Sequence, residues 1–248
     1  MRDSAHLILG GAGAIGRATA QRLVAGGARV LLAGRTAATL AAAAESLGSA
    51  AAWLETDATD AAAVDRAADE ARGRFGRLDG IANCVGSIVL KPAHLTKPEE
   101  FEQVLRVNLV TGFNAVRAAA RLMPAAGGGA VVLVSSAAAR IGLANHEAIA
   151  AAKAGLEGLA RSASATYAAK GLRVNVVAPG LVRTPLAARI TSSPPAEQAS
   201  LALHPLGRLG EPDDVAAAIA FLLDPTNAWT TGQVLGVDGG LGALKVPR

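Results

Sequence analysis

The chain has 248 residues, 51% of them hydrophobic and 18% charged, enough to bury the core of about one α/β domain. Its formal net charge of +4 comes from basic residues scattered among alanines and acids, a pattern that argues against a nucleic-acid partner. A single cysteine, Cys84, excludes an intramolecular disulfide and a cysteine-rich metal site, so no metal is expected and a reducing cytoplasm is the expected compartment.

From the N-terminus, Arg2-Asp3-Ser4 leads straight into an apolar run, with no charged leader and long apolar stretch behind it, so neither a signal segment nor a membrane span is expected. Short β-branched or leucine-rich runs then alternate with alanine-rich stretches of helical length. His6 to Gly10, Arg29 to Ala33, Ala51 to Leu54, Asp79 to Asn83, Ala130 to Ser135, Leu172 to Val177 and Gln233 to Val237 read as strands. Residues 14–26, 36–47, 60–75, 99–123, 146–169 and 211–223 read as helices. Strands without polar alternation are buried on both faces, which predicts a doubly wound α/β fold: one Rossmann-type domain over residues 1–248, a seven-stranded parallel sheet with helices on each side. Residues 185–205, with Thr191 to Pro195 inside them, have the composition of a mobile flap.

The first chemical motif follows the first strand and opens the first helix: Leu9-Gly10-Gly11-Ala12-Gly13-Ala14-Ile15-Gly16. Gly11, Gly13 and Gly16 satisfy the GxGxxG spacing, in which missing side chains let the backbone turn, approach a pyrophosphate and pack the helix on the sheet. The helix N-terminus then offers free N–H groups and partial positive charge to the phosphates. The second strand ends Ala33-Gly34-Arg35-Thr36. An acid at this place would bind a ribose 2′-hydroxyl and repel a 2′-phosphate, whereas Gly34 leaves room and Arg35 supplies a guanidinium. NADP(H) is therefore favoured over NAD(H).

With these residues in view, the chain resembles the short-chain dehydrogenase/reductase family over nearly its whole length. Asp57-Ala58 resembles the family's adenine contact, and Asn83-Cys84-Val85-Gly86 stands in the place of its asparagine–glycine signature, keeping the first Asn and last Gly. Asn108 matches the family's helix asparagine, and Ser135-Ser136 its serine pair, with Ser136 at the catalytic position. Pro179 to Thr184 resembles the segment that holds the nicotinamide carboxamide, through the Val182 backbone and the Thr184 hydroxyl. Leu206 to Gly240 is typical of its C-terminal part. The resemblance implies that Lys153 holds the nicotinamide ribose, and that the protein is a homo-oligomer, a tetramer or dimer, built on the helices at 99–123 and 146–169.

The family's mechanism also asks for a tyrosine four residues before the lysine. Counting four back from Lys153, and thirteen forward from Ser136, both reach Ile149. The chain's one tyrosine, Tyr167, lies fourteen residues beyond Lys153, roughly 21 Å along a helix, and reads as a packing residue. In the superfamily's enoyl-thioester reductases the acidic tyrosine sits seven residues before the lysine; here that position is His146, on the same broad helix face as Lys153. His146 is thus a candidate proton donor, beside the plainer reading of a helix-start residue; His94 and His204 belong to the two substrate-side loops. Val85, Ile141, Leu143 and Ile149 suggest an apolar substrate pocket.

Three readings stay open. One is an NADP(H)-dependent oxidoreductase that reduces a ketone or aldehyde of a small apolar substrate with Asn108, Ser136, Lys153 and either water or His146. Another is an enoyl-type C=C reductase, and a third is a pseudoenzyme that binds NADP(H) in a structural or regulatory role.

Overall fold

The computed structural model describes residues 1–245. Strand β1 (Ala5–Leu9) is buried along its whole length. Around it β2 (Arg29–Gly34), β3 (Ala51–Glu55), β4 (Gly80–Asn83), β5 (Gly129–Val134), β6 (Leu172–Pro179) and β7 (Val234–Val237) form one sheet in the order β3-β2-β1-β4-β5-β6-β7. Every neighbouring pair is parallel. Parallel neighbours need crossovers, and the alanine-rich segments supply them as helices on both faces.

On one face α3 (Ala61–Phe75), α5 (Thr111–Leu122) and α6 (Glu147–Tyr167) cover Leu7, Leu31, Ile81, Val131 and Val174. On the other, α1 (Ala14–Ala25), α2 (Ala37–Glu45) and α9 (Pro212–Leu223) cover Ile8, Leu32, Ala82 and Val132. Adjacent residues of one strand thus feed opposite cores, the physical reason the strand sequences lack polar alternation. Small residues let the helices close up: a Cβ on Gly112 of α5 would lie 2.3 Å from Leu156 Cδ2 of α6.

Two regions depart from the sequence reading. The predicted helix at 99–123 is α4 (Pro98–Leu105) and α5 joined through a π-helical turn, Arg106–Val110, that contains Asn108. Such turns recur at functional sites because the extra residue re-aims a side chain. Residues 185–205, read as a flap of mobile composition and assigned no helix, hold a short 3₁₀ turn (Pro185–Ala187) and two helices, α7 (Ala188–Thr191) and α8 (Pro194–Leu201). Proline at the first turn of α8 has no N–H to satisfy, and Ser193 caps it by accepting from Ala196 N–H, so these residues start a helix rather than break one.

Candidate active site

The strand order reverses between β1 and β4, and a cleft of about 440 Å³ opens beyond the C-terminal ends of these strands, the place where open α/β sheets bind ligands. Gly10, with φ +74°, ends β1 in a conformation that favours glycine. Gly16 permits the helix to approach: a Cβ there would sit 2.3 Å from the Gly10 carbonyl oxygen. Gly11 has a different task from the one its spacing suggests, since it is buried against β2, where a Cβ would meet Leu32 Cβ at 2.9 Å. Gly10, Gly13, Ile15 and Gly16 line the cleft.

No side chain caps α1, and its first turn carries no acid. Its leading N–H groups therefore face the cleft with partial positive charge, which suits a diphosphate. Arg35, exposed and without an ion pair among the described residues, lines the cleft at the end of β2 beside Gly34, Thr36 and Thr39. Asp57 and Ala58 line the next wall. The Thr59 N–H and hydroxyl hold the Asp57 carboxyl below its ordinary range, with Arg35 and Arg106 adding to the effect. The donor set and glycine-lined floor fit a dinucleotide cofactor.

Behind the cleft, polar side chains fix the backbone. Asn83 is buried; its Nδ2 donates to Thr111 Oγ1 at 3.1 Å, and its Oδ1 accepts from Val85 N–H at 3.3 Å. Asn108, wholly buried in the π-helical turn, accepts from Ser87 N–H at 3.0 Å and donates to Ser87 Oγ at 2.8 Å and Val104 O at 3.0 Å. Lys153 is buried; its Nζ donates to Val134 O at 2.7 Å, tying α6 to the end of β5. Burial pushes the Lys153 amine down to about 8, against a small opposing effect of the Cys84 sulfur. Burial likewise pushes the Cys84 thiol up to about 12. A Cβ on Gly86 would lie 3.2 Å from Asn108 Oδ1 and 3.4 Å from Lys153 Nζ, so the asparagine and lysine sit side by side behind this glycine.

The serine pair divides its labour. Ser135 is buried, its Oγ 3.1 Å from Lys153 O and 3.2 Å from Glu157 Oε1 on α6. Ser136 faces a separate cavity of about 310 Å³, together with Ile149, Leu143, Ile190 and Leu203. The Ser136 oxygen accepts from Ala138 N–H at 3.2 Å, which leaves its hydroxyl proton available to a ligand. Ile149 is buried and packs with Val104, Ala148 and Ala152, one helical turn before Lys153. His146 lines the same cavity; its Nδ1 lies 2.8 Å from Ala144 O, which places the proton on Nδ1 and leaves Nε2 without a partner among the described residues.

Two expected pocket residues fall elsewhere. Val85 lines the dinucleotide cleft, because its backbone is pinned to Asn83, and Ile141 is not among the cavity's lining residues, since it follows the 3₁₀ turn Ala137–Ala139 and bonds back to Ala137 O. Thr184 lines the cleft, whereas Val182 is buried and paired with Gly210. His94 is exposed in a 3₁₀ turn (Ala93–Leu95), outside the cavity. Tyr167, the last residue of α6, packs against the core. Sequence reasoning passed over Asn114, which is buried and donates to Ala58 O at 2.9 Å, fixing the wall beside Asp57. Its signal was a lone asparagine in an apolar, alanine-rich helix. It also missed that Arg183 pairs with Glu197 of α8 at 2.5 Å and Glu211 at 3.5 Å. Among the described residues no cluster of three or more His, Cys, Asp or Glu could hold a metal, and no helix is long and apolar enough to cross a membrane.

A family model described as Enoyl-(Acyl carrier protein) reductase matches residues 10–242. The chain is 40% identical over 241 residues to the cis-4-hydroxycyclohexanecarboxylate dehydrogenase of Sinomonas cyclohexanicum, covering 96% of each. It is 36% identical over 229 residues to a Xanthobacter autotrophicus protein named inactive 2-(S)-hydroxypropyl-CoM dehydrogenase 2, covering 91% of this chain and 100% of that one. The solved structure of a short-chain type dehydrogenase/reductase from Mycobacterium ulcerans superposes with a TM-score of 0.94 at 34% identity, covering 100% of this chain and 93% of its own. Matched from glycine loop to C-terminal segment, the chain belongs to the short-chain dehydrogenase/reductase family of oxidoreductases.

Proposed function

We propose that the protein is an NADP(H)-dependent reductase of a ketone or aldehyde on a small apolar substrate, working without the phenol that its family places before the lysine. The observation that carries this reading is the shared wall of Ser136 and Ile149: a hydroxyl with its proton to give, set beside the isoleucine in a mostly aliphatic cavity that His146, Ser200 and His204 also line. Arg35, with no acid at the end of β2, supports the choice of NADP(H) over NAD(H).

A bound reduced nicotinamide supplies a hydride. Gly10, Gly13, Ile15, Gly16, Arg35, Asp57, Ala58 and Thr184 would hold the cofactor, with Asn83 and Val182 shaping their backbone and Lys153 toward the ribose. Ser136 donates to the carbonyl oxygen as negative charge develops on it. Ile149 brings no proton, so the final proton comes from water, either directly or through His146, whose Nε2 first takes a proton from solvent because the ring's own proton is held on Nδ1 by Ala144 O. Loss of a placed general acid lowers a rate by roughly 10²–10⁴, which leaves a slow reductase rather than none. Asn108 and Lys153 keep the backbone and charge beside Gly86 in place.

The description of the matching family model favours a second reading, reduction of a conjugated C=C bond, in which the hydride goes to carbon and Ser136 or His146 stabilises an enolate. The word inactive in a relative's name lends weight to a third, cofactor binding without turnover. We further read Val110 and Phe113, exposed on the π turn and α5, as part of a homo-oligomer contact.

The test is oxidation of NADPH and NADH against ketones, aldehydes and conjugated enones. Ketone or aldehyde turnover that favours NADPH is the expected result. Preference for the alkene of an enone selects the enoyl reading, and tight NADPH binding with no turnover of any of them selects the third.

A further inference from the structure

His204 is the one buried imidazole on the substrate side of the molecule among the described residues, and both its nitrogens are engaged. It follows α8 and is 4% exposed. Its Nδ1 lies 2.7 Å from Ser200 O, an acceptor, so Nδ1 carries the proton. Its Nε2 accepts the Leu181 N–H at 3.1 Å, so Nε2 carries none. The two bonds together admit only the neutral ring in one tautomer. Gly180 makes the room: a Cβ there would fall 2.6 Å from Nε2 and 3.0 Å from Asp238 Cα.

The ring joins two parts of the chain that a reductase must hold in register. On one side is the helical segment α7–α8, whose Ile190 and Leu203 wall the cavity containing Ser136. On the other is Leu181, at the start of the segment that leads to Val182 and Thr184. We propose that His204 is a positioning residue: a latch that fastens the α8 segment to the cofactor-side segment, closed only while the imidazole is neutral. A second proton would set an Nε2–H against the Leu181 N–H, two donors facing each other out of water, and the bond would be lost.

The charged groups around the ring do not substitute for that bond. The ring also walls a polar cavity of about 340 Å³ that holds Arg208, Asp214 and Asp238. Arg208 is engaged with Asp214 at 2.6 and 2.8 Å, and the Asp238 oxygens accept from Gly240 and Gly242 N–H at 2.9 Å each. The ring also borders the cavity that contains Ser136, where His146 is bonded to Ala144 O. Arg183, paired with Glu197 and Glu211, is a separate tie between α8 and the residue that caps α9. The latch goes beyond the proposed reaction and is measured without it.

The test is amide hydrogen exchange of residues 186–203 in the full-length protein, corrected for intrinsic rates, at about pH 7.5 and about pH 5. The wild type is expected to lose protection there by roughly tenfold on acidification, the effect of orphaning one buried donor. His204→Gln, which offers an uncharged oxygen near the Nε2 position, should keep protection at both pH values. His204→Leu should lose it at both while the sheet amides stay protected. If His204→Leu does not fold, wild type against His204→Gln decides. A wild type without acid loosening, or a His204→Gln that loosens in parallel with it, overturns the latch. Failure of every substrate in the turnover screen would instead count against the proposed reaction and leave these exchange results standing.

Discussion

Ile149→Tyr tests the chemistry most directly. Residues four apart on a helix have Cβ atoms roughly 6 Å from each other, so a phenol at 149 would share the face of α6 that carries Lys153. With Lys153 held at about 8 by burial, its amine is roughly nine-tenths charged at neutral pH. For a phenol oxygen that comes to about 6 Å from the amine, at an effective dielectric of about 20, that charge favours the phenolate by about 3 kcal/mol, bringing a tyrosine from about 10 to about 8. Such a phenol is still protonated at neutral pH, and acidic enough to give its proton to an alkoxide. A placed general acid contributes roughly 10²–10⁴, and we expect the lower end, a gain of about 10²-fold in kcat/KM for ketone reduction. The larger ring replaces a side chain packed on Val104, Ala148 and Ala152, which costs about 1–3 kcal/mol of stability in a filled core, less here because the ring points toward an open cavity. The assay is steady-state loss of reduced-nicotinamide absorbance with the wild type, Ile149→Tyr and Ile149→Phe, since Phe reproduces the ring without the hydroxyl. Equal rates for the Tyr and Phe variants would refute the argument that Ser136, Asn108 and Lys153 stand ready around a missing acid.

Two further outcomes follow from named contacts. Arg35→Ala should weaken NADPH binding by roughly 10-fold or more, the effect of removing one charge-assisted bond to a phosphate, and leave NADH nearly unchanged in a fluorescence titration; equal losses would remove Arg35 from the phosphate. His6, wholly buried with Nδ1 unpartnered, is held at about 4 by burial, against the pull of Asp79. Its unfolded value is 6.5, so the unfolded chain binds the extra proton between about pH 6.5 and 4 and stability falls as pH drops through that window, by about 3 kcal/mol in all. Urea unfolding of His6→Gln should show a flatter pH dependence there, and a slope equal to the wild type's would assign the acid sensitivity to other groups.

The fold was legible because burial on both faces of a parallel strand leaves a mark that one sequence displays: Leu7 to Leu9, Val30 to Ala33 and Val131 to Val134 carry no polar alternation. The glycine loop was legible for the same kind of reason, since Gly10 and Gly16 occupy places a Cβ cannot enter. Gly11 shows the limit of a spacing rule, because the triplet identifies three positions where a side chain is unwelcome and does not say whether ligand or sheet is the cause. The π turn at 106–110 was invisible, as its hydrophobic pattern continues on either side and the change of hydrogen-bond partner leaves no composition signal. The helices at 188–201 were hidden by prolines and serines that act as a first-turn residue and a cap. Asn114 and His204 reach distant backbone groups brought close by tertiary packing, Ala58 O and Leu181 N–H, contacts that no local pattern encodes.

The geometry also keeps the side chain at 149 out of the bonds that hold the cleft beside it. Helix α6 is held by groups on its other positions: Ser135 reaches the Lys153 carbonyl and Glu157, the Lys153 amine reaches Val134 O, and Leu156 closes on Gly112. None of these bonds involves the side chain at 149, whose neighbours are the apolar Val104, Ala148 and Ala152. A phenol there would need a polar outlet for its hydroxyl, which the cavity and Ser136 supply, whereas isoleucine needs none and fills the wall with carbon. The scaffold that places the lysine and the residue that would deliver a proton are therefore separable in energy. That separability makes a tyrosine at 149 a change of chemistry on an unchanged frame.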